Sequence, residues 1–218
     1  MLLRRAKLIL QTEGFLPLAK RGFPFVARHF FRYGTYDLYE IAIEDWLKHW
    51  NEADFLPTVE DFTLRIITTN QEADELEAEG LEFRSHVINA RERLDKGAIA
   101  FCIFVGQELA SIGWAATTEE ARATLGERPI KVNFANNEYV AAGWWTNPKF
   151  RGKGLGSHVG FKRSQFLGER GMVVQRAVIA KGNIVALRAF AKRAPKMYAE
   201  ARYLKILWWK FWKEKPLT

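Results

Sequence analysis

Three glycines at alternate positions, Gly152, Gly154 and Gly156, stand just ahead of an amphipathic segment that extends to about Gly168. Because glycine has no Cβ, such a run turns tightly and lets a ligand come within hydrogen-bonding distance of main-chain N–H groups. A helix that begins at this point adds unsatisfied donors and the positive end of its dipole. The spacing therefore predicts a cradle for an anion, and for a pyrophosphate above all.

Two other phosphate-binding loops do not fit this run. A Walker loop needs four residues between its first glycine and a Gly-Lys-Ser/Thr triplet, and no glycine here has that spacing. Gly154, Gly156 and Gly160 come closer to a dinucleotide fingerprint, but six residues separate the run from the apolar strand predicted before it. The next predicted strand, Val173–Ala180, also lacks the terminal acid that would bind a ribose. The pattern argues against a nucleotide-dependent dehydrogenase.

The run and its flanks resemble the acyl-CoA signature of the GNAT acetyltransferase superfamily, in which Arg or Gln is followed, after two residues, by Gly, any residue, and Gly or Ala. The signature is matched at Arg151, Gly154 and Gly156, with Pro148 three residues ahead. A strand precedes the run, and a helix, a second strand and a helix opened by Asn183 follow it. The resemblance covers about residues 61–213. It implies an α+β GNAT-type acyltransferase fold, whose central mixed, mostly antiparallel sheet is flanked by helices.

The resemblance also implies where an acyl donor would bind. In this family the strand before the glycine run separates from the strand after it, and the pantetheine arm of acetyl-CoA lies in that gap. Main-chain groups of Trp145 and Thr146 would pair with the arm, and the Asn183 side chain would reach it. The other expected cofactor-binding residues supply pyrophosphate donors and positive charge: Arg151, Gly152, Lys153, Gly154, Leu155, Gly156 and Ser157.

The implied reaction is transfer of an acetyl group from acetyl-CoA to a primary amine, by direct attack in a ternary complex. A carboxylate whose pKa is raised by burial suits the general base. Glu138 is the only acid on the strand predicted before the run, although related enzymes place this glutamate where the chain has Val140. Phe190 takes the position of the usual tyrosine acid. Tyr198, our candidate, or Tyr203 would replace it, unless a water serves or the thiolate leaves unassisted.

Two further functional interpretations stay open. Phe190 and the displaced glutamate favour an acyl-CoA-binding or interaction module with little turnover. Trp144, Trp145 and the aromatic C-terminus would suit a membrane-associated acyltransferase with a longer acyl donor or a lipid-like acceptor, and core packing explains them equally well. The acceptor, a small molecule or a protein, is not identified by the sequence, because specificity in this family resides in loops. A homodimer is compatible with each interpretation.

Composition limits the class of protein. At 218 residues, the chain is long enough for one ordinary domain and an extension. A single cysteine, Cys102, excludes an internal disulfide and a cysteine-rich metal site, and no metal is expected. Its place in the apolar run Ala98–Val105 predicts a small buried residue. No apolar run has the length of a signal peptide or membrane span, so we expect a cytoplasmic protein, with peripheral membrane contact as an option.

The basic character of the chain is concentrated near its N-terminus. Residues 1–36 hold seven bases and one acid, whereas the remainder holds 26 bases and 24 acids. Apolar spacing predicts a basic amphipathic helix over residues 2–10 and a second one after Pro24. We therefore divide the chain into a basic amphipathic helical extension, 1–60, and a GNAT-like acetyltransferase domain, 61–218. Residues 1–35 would dock on the core or a second subunit, contact an anionic membrane or, as the less favoured reading, bind nucleic acid.

Hydrophobic periodicity predicts the remaining elements. Predicted helices span Asp37–Asn51, Phe83–Asp95, Thr118–Thr124, the segment after the glycine run and the segment from Asn183. Predicted strands span Phe62–Thr69, Ala98–Val105, Glu108–Ala115, Glu138–Trp145, Val173–Ala180, Met197–Tyr203 and Lys205–Trp212. In the helix after the glycine run, Leu155, Val159 and Phe166 share an apolar face with Lys162. An acidic run, Glu72 to Glu82, either attracts a cationic amine or forms a solvated helix face and turn.

Overall fold

In the computed structural model, residues 31–217 are described, and they form eight β-strands and six α-helices. The strands are β1 (Phe31–Ala42), β2 (Phe62–Ile67), β3 (Ile99–Val105), β4 (Glu108–Ala116), β5 (Glu138–Thr146), β6 (Val174–Ala180), β7 (Lys196–Ile206) and β8 (Trp209–Pro216). The helices are α1 (Ile43–His49), α2 (Asn70–Ala78), α3 (Ala90–Asp95), α4 (Glu119–Leu125), α5 (Leu155–Gly168) and α6 (Ile184–Ala191).

All eight strands belong to one sheet, in the order β2-β3-β4-β5-β6-β1-β7-β8. β5 and β6 run parallel, and every other neighbouring pair of these strands runs antiparallel. The parallel contact is short, because it ends at Val140 on β5 and Arg176 on β6. The predicted α+β class, with a mixed and mostly antiparallel sheet, is confirmed.

The central strands are covered on both faces. Along β3, Ala100, Cys102 and Phe104 contact one apolar cluster, and Phe101 and Ile103 contact another. Helices α2, α3 and α4 close the first face, and α1 and α5 close the second. Successive side chains of a strand point to opposite faces, so a strand covered on both sides is apolar throughout. Cys102 is a buried free thiol, as its position in this run predicts.

β1 is the main departure from the sequence prediction. The helices predicted after Pro24 and from Asp37 are wrong where they cover residues 31–42, because these residues pair with β6 on one side and β7 on the other. The predicted boundary at residue 60 therefore does not separate an extension from the sheet. Residues on the N-terminal side of that boundary form an interior strand.

Side-chain burial explains why these residues form a strand. Tyr36 and Leu38 contact the cluster on one face of the sheet, and Ile41 contacts the cluster on the other. Aromatic and branched residues favour such a pleated, half-buried surface. The helix begins only at Ile43, where Ile43 and Trp46 are buried, so the second half of the predicted helical face is correct.

Two other predicted elements are divided. The helix expected over Phe83–Asp95 is interrupted at Asn89, whose left-handed conformation separates a short 3-10 turn from α3. The strand expected over Lys205–Trp212 contains a turn, at which Leu207 has a φ of +57°. This turn joins β7 to β8 as an antiparallel hairpin.

Much of the acidic run is engaged within the fold. Glu72 accepts the N–H of Thr69 in a capping box that begins α2. Asp74 and Glu77 both form ion pairs with Arg84, at 2.6 Å for Asp74. These contacts favour the solvated helix face over an amine-attracting surface.

The basic helix predicted over residues 2–10 lies outside the described residues, as does most of the segment after Pro24. Contact of this region with the core, a second subunit or a membrane therefore stays a prediction. Between residues 31 and 217, no helix is both long and apolar enough to cross a bilayer.

Candidate functional site

A gap opens between β5 and β6 beyond their short parallel contact. β5 continues from Ala141 to Thr146 and β6 from Ala177 to Ala180, and these parts do not pair with each other. The outer sides of the two strands are occupied by β4 and β1. The main-chain groups on the inner sides face the gap, where an extended ligand would pair with them like an added strand.

A β-bulge shapes the β5 side of this gap. The β4–β5 register shifts here, which leaves Gly143 and Trp144 opposite the single residue Gly113. Gly143 has a φ of +64°, and a Cβ at this position would lie 2.8 Å from the Trp114 ring, so only glycine fits. The bulge directs the Trp144 ring towards α5, where it lies 3.7 Å from the Cβ position of Gly156.

The glycine run lies at the open end of the gap, between β5 and α5. Gly152 and Gly154 have φ values of +76° and +83°, in the left-handed region that favours glycine. A Cβ on Gly154 would lie 3.3 Å from Pro57 Cα. The first hydrogen bond of α5 runs from the His158 N–H to the Gly154 carbonyl oxygen, at 3.0 Å. The N–H groups that precede this bond are available to an anion: those of Leu155, Gly156 and Ser157.

The side chains of the run differ in what they offer a ligand. Leu155 is buried in the core, so only its main chain serves the run. Arg151 is exposed and donates from Nε to the Thr146 carbonyl oxygen at 3.2 Å. Lys153 is exposed as well. Two cations therefore stand beside the available N–H groups.

The end of β5 distinguishes the two residues predicted to pair with a ligand. The Asn147 N–H donates to the Ala110 carbonyl oxygen at 3.0 Å, so Asn147 faces β4. In an antiparallel pair, the main-chain N–H and C=O groups of successive residues point alternately towards the partner strand and away from it. The main-chain groups of Trp145 therefore also point towards β4, and those of Thr146 point towards the gap. Thr146 is placed to pair with a ligand, whereas the predicted main-chain role of Trp145 is not supported.

Asn183 caps a second helix at the same opening. Its Oδ1 accepts the Ala186 N–H at 3.1 Å, as the N-cap of α6. Because α6 follows β6 as α5 follows β5, two helix N-termini border the open end of the gap. The Asn183 oxygen is engaged in the cap, so the amide nitrogen is the part that would reach a ligand.

Glu138 is held in an ion pair at the closed end of the gap. Arg176 donates from Nη2 to Oε1 at 2.6 Å and from Nε to Oε2 at 2.9 Å, and the Asn133 N–H donates to Oε2 at 2.9 Å. Burial acts to raise the pKa of Glu138, but the bonds from Arg176 and Asn133 and the Arg176 charge lower that pKa overall. Glu138 therefore does not have the raised pKa that suits a general base, since these bonds stabilise the charged carboxylate. Its catalytic role stays a prediction.

Tyr198 lies beside the same ion pair. The Arg176 guanidinium carbon is 4.7 Å from the centre of the Tyr198 ring. Burial raises the pKa of Tyr198 to about 12, although the Arg176 charge opposes this shift. The structure thus brings the two predicted catalytic residues together through Arg176. They are separated from the glycine run by β5, whose course from Glu138 to Thr146 spans about 26 Å.

Two buried arginines near the gap were missed by the sequence prediction. Arg163 and Arg193 are 0% and 1% exposed. Lys162, which was placed on the apolar face of α5, pairs instead with Glu52. Arg163 is four residues after Val159, so helical spacing places it among the buried positions, and this was the available signal.

Comparisons with known proteins agree with this architecture. The sequence matches no protein-family model and none of the curated proteins. A GCN5-related N-acetyltransferase from Kribbella flavida aligns with 85% of this chain and 63% of its own, at a TM-score of 0.50 and 14% identity. A GCN5-related glucosamine N-acetyltransferase region of a fungal multi-domain GH3 beta-N-acetylglucosaminidase aligns with 88% of this chain and 23% of its own, at a TM-score of 0.51 and 13% identity.

The chain spans less than two thirds of the length of each of these two structures. At such identities the similarity concerns the fold alone. Both matched structures are N-acetyltransferases of one superfamily, and the sequence resemblance points to the same superfamily. We conclude that residues 31–217 have the fold of the GNAT acetyltransferase superfamily.

Proposed function

We propose that this protein is an acyltransferase that moves an acetyl group from acetyl-CoA to a primary amine. The observation that carries the proposal is the gap between β5 and β6, which opens onto the glycine run and the N-terminus of α5. An extended arm that ends in a pyrophosphate is complementary to a strand edge followed by a helix N-terminus. The fold alone hosts several functions, so the proposal depends on this site.

The residues at the gap fit such a donor. Thr146 would pair with the pantetheine arm through its main chain. The N–H groups of the first turn of α5 would bind the pyrophosphate, and Arg151 and Lys153 would add positive charge. When bound, acetyl-CoA supplies a thioester whose carbonyl carbon is open to attack by an amine.

Direct attack requires an amine that is positioned and deprotonated. Tyr198 is protonated at neutral pH and is the proposed proton donor to the leaving thiolate, although burial, which raises its pKa to about 12, makes it a weaker acid than an ordinary tyrosine. Glu138 is able to accept a proton from an amine only if Arg176 moves away from the Glu138 carboxylate. A role for Glu138 as general base therefore requires this ion pair to open.

The second candidate function is an acyl-CoA-binding module with little turnover. It is favoured by the engagement of Glu138 and by Phe190, which packs against Tyr39 with 5.6 Å between ring centres. The two candidates differ in one product. An enzyme releases free CoA when an amine acceptor is supplied, whereas a binding module is stabilised by acetyl-CoA and releases none.

Thermal unfolding with and without acetyl-CoA tests the donor site. A ligand that binds only the folded state, at about a hundred times its Kd, stabilises that state by about 2.7 kcal/mol. We expect Gly156→Glu to remove this stabilisation, because its carboxylate would repel the pyrophosphate. The variant should fold, since a Cβ at Gly156 lies no closer than 3.7 Å to other side chains of the described chain.

Gly126→Glu is the matched control. It adds the same charge at an exposed position, where no atom of the described residues lies within 4 Å of a new Cβ. The control should respond to acetyl-CoA as the wild type does. An unchanged wild-type melting temperature in acetyl-CoA would rule out the proposed donor.

We also propose peripheral contact with an anionic membrane. The β7–β8 turn presents Trp208 and Trp209, the former 74% exposed, beside Lys210. Phe31, the first described residue, pairs with Ile206 next to this turn. Exposed aromatic and basic side chains together are what binding to an anionic lipid surface requires.

Cosedimentation with vesicles tests this contact. The wild type is expected to bind vesicles that contain phosphatidylserine more tightly than neutral vesicles, and replacement of Trp208 and Trp209 by serine should weaken binding about tenfold or more. Ile88→Ser is the control, because Ile88 is 91% exposed on another part of the fold. Equal binding by all three proteins would exclude the turn as a membrane contact.

A further inference from the structure

Arg163 and Arg193 form a buried pair of cations without an acidic partner. Both side chains are almost completely buried, and neither forms an ion pair with a carboxylate of residues 31–217. Their guanidinium carbons lie over aromatic rings, 4.5 Å from the centre of Trp144 and 4.8 Å from that of Trp46, respectively. Removal of an unpaired ion from water costs several kcal/mol, so such a pair is unusual in an interior.

An uncharged amide stands where a carboxylate would be expected. Gln175 Oε1 accepts the Tyr139 hydroxyl at 3.0 Å, Arg193 Nη1 at 3.1 Å and Arg163 Nη2 at 3.4 Å. Ser164 Oγ accepts Arg193 Nη2. Four more buried nitrogen atoms have no partner within the described chain: Arg163 Nε and Nη1, Arg193 Nε and Gln175 Nε2. Donors therefore outnumber acceptors, and the missing component is an acceptor.

The cluster lies between α5 and the paired start of β5 and β6, where Tyr139 is opposite Gln175, and the Trp144 ring separates it from the gap. Arg193 Nη1 is 3.2 Å from the Cβ position of Gly160 on α5, and the Trp144 ring is 3.0 Å from the same point. The ring is 42% exposed, so one side faces solvent and the other covers Arg163. Rotation of this ring, which stands on the part of β5 that borders the gap, would uncover Arg163 and the adjacent Nη1 of Arg193.

The charges of the cluster persist at neutral pH. Burial lowers the pKa of Arg193 to about 9, with the Arg163 charge as the next cause, and burial also lowers the pKa of Arg163. A guanidinium with a pKa near 9 is still protonated at pH 7. Two like charges in an apolar interior are stabilised by an anion placed between them.

We propose that Arg163 and Arg193 bind a carboxylate that enters from the gap between β5 and β6 when the Trp144 ring moves aside. A carboxylate is planar and accepts hydrogen bonds only, which matches the fork of a guanidinium group. It would have one of two sources: the far end of a dicarboxylic acyl group on CoA, or a carboxylate of the acceptor. The first source rests on the proposed function, whereas the carboxylate site itself does not.

The test measures thermal unfolding of the full chain at constant ionic strength. Sodium succinate is compared with sodium chloride, and succinyl-CoA with acetyl-CoA. We expect succinate to raise the wild-type melting temperature above its value in chloride. A donor source predicts that succinyl-CoA binds at least tenfold more tightly than acetyl-CoA, and equal binding of the two thioesters assigns the carboxylate to the acceptor.

Arg163→Met and Arg193→Met should each abolish the response to succinate. Both variants are expected to fold, because an apolar side chain replaces a buried charge that has no partner. Arg188→Met removes an exposed arginine of α6 and should respond as the wild type does. If a methionine variant does not fold, Arg163→Lys is used, because it keeps the charge, loses the planar fork and should weaken succinate binding at least tenfold.

Three results would overturn the inference. One is a wild type that distinguishes neither succinate from chloride nor succinyl-CoA from acetyl-CoA. Another is a response that survives in both methionine variants. The third concerns Glu13, the only acidic side chain outside the described residues: if succinate acts on Glu13→Gln but not on the wild type, the counterion belongs to the chain itself.

The same data separate this inference from the proposed function. Stabilisation by acetyl-CoA without any carboxylate effect would remove the inference and leave the proposed donor intact. Stabilisation by succinate without any effect of either thioester would leave the inference intact and remove the proposed donor.

Discussion

A chain shortened to residues 61–218 is expected not to fold. It would lack β1, which pairs with β6 through Tyr36–Ala42 and with β7 through Phe31–Glu40, so both neighbours would lose a partner in the interior of the sheet. Unpaired strand edges and exposed core residues would then favour aggregation. Circular dichroism should show no cooperative unfolding transition for this shortened chain.

A chain of residues 31–218 is the control, because it retains every contact described for the sheet. Leu38→Ala provides a milder form of the same test. Leu38 is fully buried on β1, and its truncation should lower the free energy of unfolding by about 2 to 5 kcal/mol. Cooperative unfolding of the 61–218 chain near the wild-type temperature would show that β1 is an accessory strand.

Glu138→Gln is expected to destabilise the protein and to leave kcat nearly unchanged. The amide no longer neutralises Arg176, and the loss should be roughly 2 kcal/mol, since Glu40 still pairs with the same guanidinium at 2.6 Å. The lowered pKa of Glu138 means that its contribution is present above pH 4.5 and is lost as the pH falls through its folded-state pKa. The stability difference between variant and wild type should therefore shrink on acidification.

Turnover measured below the melting temperatures of the wild type and of Glu138→Gln shows whether Glu138 is the general base. A general base contributes about a hundredfold or more, so a fall of that size in kcat for Glu138→Gln would assign the role to Glu138 despite its ion pair. Glu40→Gln is the matched control, because it removes the other carboxylate that pairs with Arg176. The control should lose stability without affecting kcat.

Features with local signals were predictable from the sequence. The hairpin of β3 and β4, the strand β5 and the glycine run with its helix each depend on residues that are close in the chain. β1 was not predictable in this way, because its partners begin at Val174 and Lys196. Tyr39, Ile43 and Trp46 happen to have helical spacing, and only the long-range pairing decides against a helix for the first of them.

Among the site residues, too, some follow from local sequence signals and others depend on long-range contacts. The glycines and the N–H groups of α5 follow from the motif, whereas the environment of Glu138 depends on the register of β5 against β6. That register places Arg176 opposite Val140 and within reach of Glu138, from 38 residues away in the chain. Helical spacing indicates that Arg163 is buried, but its approach to Arg193 and Gln175 depends on how α5, β6 and the end of α6 pack together, which no local pattern of the sequence encodes.

The position of β1 also has a consequence for the time course of folding. Its residues are synthesised before those of every other described strand, yet both of its neighbours lie more than 130 positions later in the chain. Contacts of such high sequence separation form slowly, and translation delays them further. β1 therefore leaves the ribosome first among these strands and waits longest for its partners, so a chaperone that shields this segment during synthesis should raise the yield of folded protein.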